Sequence, residues 1–81
     1  MTLKVYAVIY TLCDDLLQDE LENIYPTAES AIRCAKEIGK QKNCYHVHVD
    51  ENLLTEEYGR GFSRQVYEEK HPENYDNYFN V

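Results

Sequence analysis

Residues 3–12, LKVYAVIYTL, are rich in β-branched and aromatic side chains, with Leu3, Val5, Ala7 and Ile9 on one side and Lys4, Tyr6, Val8 and Tyr10 on the other. Apolar character on both sides, uninterrupted by Gly or Pro, predicts a strand in the centre of a sheet. A shorter strand is expected from about Glu20 to Tyr25, where Pro26 ends it and suits an edge position. The period then changes. Ala28, Ala31, Ile32, Ala35 and Ile38 recur at helical spacing, Thr27 stands where an N-cap belongs, and Gly39 is placed to close the C-terminus. Residues 44–50 alternate strictly, Tyr45, Val47 and Val49 against Cys44, His46, His48 and Asp50, which predicts a strand with one buried face.

The order strand, strand, helix, strand restricts the topology, because a helical crossover is right-handed. If the first two strands form a hairpin, the third lies on the far side of the first. The expected fold is therefore α+β: a small antiparallel sheet in order 2-1-3 with one helix on one face. If Leu3, Val5, Ala7 and Ile9 face that helix, then Tyr6 and Tyr10 share the open face with His46 and His48.

Residues 51–81 allow more than one reading. Gly59-Arg60-Gly61 is a turn, after which Ser63 to Lys70 is either a short capped helix, with Phe62 and Tyr67 as a staple and Pro72 as its stop, or the second arm of a hairpin. In residues 71–81, Tyr75, Tyr78 and Phe79 fall at i, i+3 and i+4, consistent with a docked helical turn or a flexible tail. Residues 1–81 form a single domain in this reading, since a chain this short holds one core.

Charge is distributed unevenly. Eight basic and 15 acidic residues give a net charge of −7, and residues 13–24 carry Asp14, Asp15, Asp19, Glu20 and Glu22 with no basic residue among them. The helix is mildly basic, and acid returns at Glu68, Glu69, Glu73 and Asp76. An aromatic sheet face can stack single-stranded bases, but affinity for nucleic acid depends on Lys and Arg at the phosphates, so this balance argues against direct nucleic-acid binding. It suits a basic protein surface instead, because carboxylates about 6 to 7 Å apart along a strand or helix approximate the spacing of phosphates. Tyrosine adds contact area at low entropic cost and accepts arginine over its ring.

Catalytic and cofactor signatures are missing. The three glycines form neither a GxGxxG nor a P-loop pattern, and adjacent carboxylates such as Asp14-Asp15 diverge on a regular element. The expectation is a non-enzyme without a cofactor. Cys13, Cys34 and Cys44 cannot all pair within one chain and lack redox or zinc spacing, which fits free thiols in a reducing cytoplasm. No apolar run approaches the ~20 residues of a bilayer span, and the N-terminal residues lack a signal-peptide pattern, so neither a membrane nor secretion is expected. One metal alternative stands out: Cys44, His46 and His48, with Asp50, lie at alternate positions of one strand and can project to one side.

A short chain composed of LKVYAVIYTL, a hairpin, the helix TAESAIRCAKEIG and the strand YHVHV, with an acidic Tyr-rich tail, resembles small inhibitors encoded by phages and mobile elements, anti-CRISPR proteins among them. The resemblance covers residues 3–50 and implies an inhibitor, in some cases an electrostatic mimic of DNA, working in the host cytoplasm. No functional residue is carried over from it. From the residues themselves, the candidate partner contacts are Asp14, Asp15, Asp19, Glu20 and Glu22 with Tyr6 and Tyr10, or the tail set Glu68, Glu69, Tyr75, Asp76 and Tyr78. A homodimer formed through a sheet edge or face is the remaining alternative.

Overall fold

The computed structural model describes residues 2–55 and 63–79. Its elements follow the chain as β1 (Thr2–Leu12), β2 (Glu20–Tyr25), α1 (Ala28–Gly39), β3 (Cys44–Thr55), β4 (Ser63–Lys70) and α2 (Pro72–Phe79). The four strands form one sheet in order β2-β1-β3-β4, with every neighbouring pair antiparallel. This extends the expected 2-1-3 order by one edge strand. It also places β1, apolar on both faces, in the interior of the sheet, where such a strand buries most.

Helix α1 begins as its sequence requires. Thr27 is extended at φ −128°, ψ 148°, and its side-chain oxygen accepts a hydrogen bond from the Ser30 N–H at 3.2 Å. The buried stripe of Ala31, Ala35 and Ile38 then lies over Val8, Val47 and Val49, each fully buried. Burying a side chain of this size contributes about 1.5–3 kcal/mol, so the three valines anchor the core. The two small alanines let the helix lie close to the sheet.

Register decides which face of β1 meets the helix. Val8 pairs with Val49 and Tyr10 with Val47, so the face bearing Tyr6, Val8 and Tyr10 is the helix face. The opposite assignment, with Leu3, Val5, Ala7 and Ile9 inward, is corrected. Alternation within β1 cannot distinguish its faces, whereas β3 has only one apolar face, and pairing forces β1 to match it.

Each strand pair contains one register shift: at Val8/Ile9 in β1–β2, at Thr11/Leu12 in β1–β3, and at Val49/Asp50 in β3–β4. The opposing residues left over are Glu22, Tyr45 and Val66. The last of these explains β4. An extra residue lets both Val66 and Tyr67 pack against the core, which breaks the period-2 signal and leaves the segment resembling a helix. The helical reading of 63–70 is thus replaced by the hairpin arm, while Gly59-Arg60-Gly61 and Phe62 lie outside the described residues. Residues 72–79 form a helix, fixed to β3 by the Asn74 side-chain amide donating to the Cys44 carbonyl at 2.7 Å.

Candidate interaction surface

β1 ends, β2 begins, β3 begins and β4 ends at the same edge of the molecule. The two candidate acidic sets, separate in sequence, therefore occupy one end of the sheet. The β1–β2 connection is held down at several points. The Cys13 N–H donates to the Asn43 carbonyl at 2.8 Å, the Asp15 N–H to the Leu12 carbonyl at 3.1 Å, and the Thr11 hydroxyl to the Asp19 carboxylate at 2.6 Å. Cys13, almost completely buried, plugs its base. Asp14, Asp15, Asp19, Glu20 and Glu22 are all exposed on this fixed connection and the strand that follows, and Leu17 at the tip is fully exposed.

Helix α2 supplies the second set. Tyr75 meets Tyr45 edge to face at 6.2 Å, while Asp76 and Tyr78 remain exposed on the same short helix. Glu68 and Glu69 behave differently from the loop acids because they are engaged. Glu68 accepts from the His46 ring at 2.9 Å, and this contact, against the opposing effect of burial, holds its carboxyl below the usual range. Glu69 accepts from the Tyr67 hydroxyl and lies 2.9 Å from His71 Nε2. Burial works against its charge most strongly, yet these two hydrogen bonds with the positive charges of His71 and Lys36 still lower its pKa. Burial and the bond to Glu69 push the Tyr67 hydroxyl up to about 12.

Tyr6 and Tyr10 do not lie on the open face of the sheet. Tyr6 is buried under the helix and donates to Glu51 at 3.0 Å, while Glu51 also receives Arg64 Nε at 3.0 Å. Tyr10 is half-buried on the same face beside Glu20, and burial together with the Glu20 and Glu22 charges raises its hydroxyl pKa. Tyr6 is withdrawn from the candidate surface, and Tyr10, half-buried on the helix face, offers it only part of its ring.

The metal alternative is corrected as well. The shift at Thr11/Leu12 turns Cys44 into the core, where it is fully buried and burial, followed by the charge of Glu69, pushes its thiol up to about 11. His46 and His48 point to the opposite face, their rings stacked 5.1 Å apart. They are directed to Glu68 and to Asp50 at 2.9 Å and 3.5 Å, and among the described residues no three His, Cys, Asp or Glu groups converge on a metal position. His48 Nδ1 is buried with no hydrogen-bond partner among the described residues.

The open face of the sheet, which composition alone did not single out, is apolar across β2, β1 and the far end of β3. Leu3 pairs with Leu54, Ala7 with Ile24 and Ile9 with Leu21. Leu3, Leu21, Ile24 and Leu54 are 40–58% exposed. The register shift at Val8/Ile9 separates Leu21 from Ile24 by three positions, so no alternation in the sequence marks them as neighbours. Among the described residues no helix is long and apolar enough to cross a membrane.

Comparison with known proteins finds no match to this chain, whether by family model, curated protein or solved structure.

Proposed function

We propose that this chain is a non-enzymatic acidic binding module that docks on a basic protein surface, and in its most specific form is an inhibitor of a nucleic-acid-binding protein of the kind phages and mobile elements encode. The observation that carries this reading is the β1–β2 connection: five exposed carboxylates, no basic residue between positions 13 and 24, and backbone and side-chain hydrogen bonds that fix the segment before any partner arrives. A pre-ordered array of charge loses less entropy on docking than a mobile one, which favours recognition by position as well as by net attraction. Asp76, Tyr75 and Tyr78 on α2 extend the same end, adding aromatic area to the charge. The partner offers arginines and lysines that otherwise meet phosphates, and the chain works in the cytoplasm of the cell that contains that partner.

The test is affinity capture from bacterial lysate on the immobilised chain, eluted with duplex DNA and compared with a D14K/D15K/E22K variant. Basic nucleic-acid-binding proteins released by DNA, and no longer captured by the variant, support the proposal. Capture that is unaffected by charge reversal and by salt refutes it.

A further inference from the structure

We infer that the open face of the sheet is the interface of a symmetric homodimer, built on Leu3, Val5, Ile9, Leu21, Ile24 and Leu54. An antiparallel sheet normally leaves its second face polar to water, and here the part formed by β2, β1 and the far end of β3 is apolar. Helix α1 covers one face and α2 docks at the end of β3, so no described element lies over the other. The aliphatic side chains left exposed among the large hydrophobics are Leu3, Leu16, Leu17, Leu21, Ile24 and Leu54, all on this face or in the connection at its end.

Three observations favour a second copy as the occupant. The first is size. An 11-residue β1 in a four-stranded sheet gives a face of about 37 by 16 Å, roughly 600 Å² per copy, and a pair then buries about 1,200 Å², the lower limit of stable protein interfaces. The second is charge. Although the chain carries −7, this face holds few of its ions: Lys70 lies 3.9 Å from Glu68, and the Glu68 and Asp50 carboxylates lie 2.9 and 3.5 Å from the His46 and His48 rings. Two such faces meet with little like-charge repulsion, whereas a strongly basic partner gains little from them.

The third is that the edges are blunted. β2 carries the extra residue Glu22 and stops at Pro26, and β4 carries an extra Val66 with exposed Arg64, Glu68 and Lys70, devices that discourage edge-to-edge pairing. Self-association is left to the face. Charge also selects the orientation, because the acidic end of each copy is better placed away from its own equivalent than over it. A two-fold axis across the strands near Ala7 achieves this, stacking β1 on β1 in opposite directions with Val5 of one copy near Ile9 of the other.

Sedimentation equilibrium of the full chain from low micromolar to near-millimolar concentration is the decisive measurement, read beside an L21K/I24K variant. Both residues are more than half exposed, so the substitution leaves the core intact, and unchanged circular dichroism verifies the fold. The expected result is a reversible dimer that the variant weakens by at least about 100-fold, since each copy brings unpaired ammonium groups into a buried apolar contact. A wild-type monomer at every concentration overturns the inference, whether the face then stays bare or takes a different partner, as does a variant that dimerises normally. Isotope-filtered NMR of a mixed labelled sample supplies an independent check. Contacts between Val5 and Ile9 methyls of different copies support the arrangement, and contacts confined to the strand edges refute it.

Discussion

Tyr6 and Glu51, directly opposite each other on β1 and β3, are joined by a 3.0 Å hydrogen bond with both residues less than a tenth exposed. The phenol donates and the carboxylate accepts. Arg64 reaches the other carboxylate oxygen from β4, so one acid ties together three strands. The donor from Tyr6 is the leading reason that the Glu51 carboxyl sits below its usual range, with burial opposing it and Arg64 assisting. A polar group is retained inside the helix face because it is fully engaged there.

Replacing Tyr6 with Phe removes the donor and leaves Glu51 buried with Arg64 alone. A fall in Tm by several degrees is expected at neutral pH. Because the folded carboxyl is depressed, the stability it contributes is complete above the unfolded value near pH ~4.3 and is lost as pH falls through the lower folded value. Tyr6→Phe should flatten that acid limb in urea titrations run at successive pH values. A limb of unchanged steepness would show that other carboxylates produce it.

Gly39 provides a test in which the sign reverses. It stays within the right-handed helix, with Lys40 after it at φ −78°, ψ −13°, so it does not serve as the left-handed terminator its position suggests. What it provides is space: a Cβ there would lie 2.9 Å from Glu69 Cδ. Gly39→Ala should cost about 1 kcal/mol, because the displaced carboxylate gives up its bonds to Tyr67 and His71. In a Glu69→Ala background the same change should stabilise by about 0.5–1 kcal/mol through helix propensity. A double-mutant cycle measured by chemical denaturation gives both numbers.

Val47→Ala removes two methyl groups from a fully buried position between the helix and the neighbouring strands. The loss of transfer energy and the cavity left behind should together cost about 2–3 kcal/mol. In a domain of this size that is a large share of total stability, and the urea midpoint should fall clearly while the slope stays the same.

Thiol chemistry should separate the three cysteines. Cys34 is half-buried on α1, whereas Cys13 and Cys44 are buried with raised thiol pKa values, that of Cys44 reaching about 11. Labelling of the native chain at pH 8 should reach one cysteine of three, and the other two only on unfolding. Fast native labelling of Cys44 would mean that α2 and the start of β3 open readily.

Several elements were legible in the residues alone because their signals are local. Thr27 with the Ala31, Ala35 and Ile38 stripe specifies α1, and the apolar β1 specifies a central strand. The hidden parts depend on pairing. Neither face of β1 is marked as inner until Val47 and Val49 choose between them, and each register shift places neighbouring residues where simple alternation would not. Cys44 shows the consequence most directly, since strict alternation groups it with His46 and His48 while the shift beside Leu12 sends it into the core. The acidic end was visible as composition, but that α2 and the β1–β2 connection share it follows only from strand order. Tyr6 lies on the buried side of β1 for the same reason, because its pairing with Glu51 on β3 decides which face it occupies.

The central position of β1 also sets the order in which the chain can fold. Its early partner, β2, has only six residues, and its long partner begins at Cys44 and runs to Thr55. Until β3 is synthesised, the emerging chain carries an 11-residue apolar strand with one short neighbour and α1 without the valines it packs against. Pairing across that sequence distance is slow to nucleate, and unpaired strands of this kind are prone to aggregate. Yield of soluble protein should therefore depend on how quickly translation passes Thr55, and fragments that stop before Cys44 should accumulate as insoluble material.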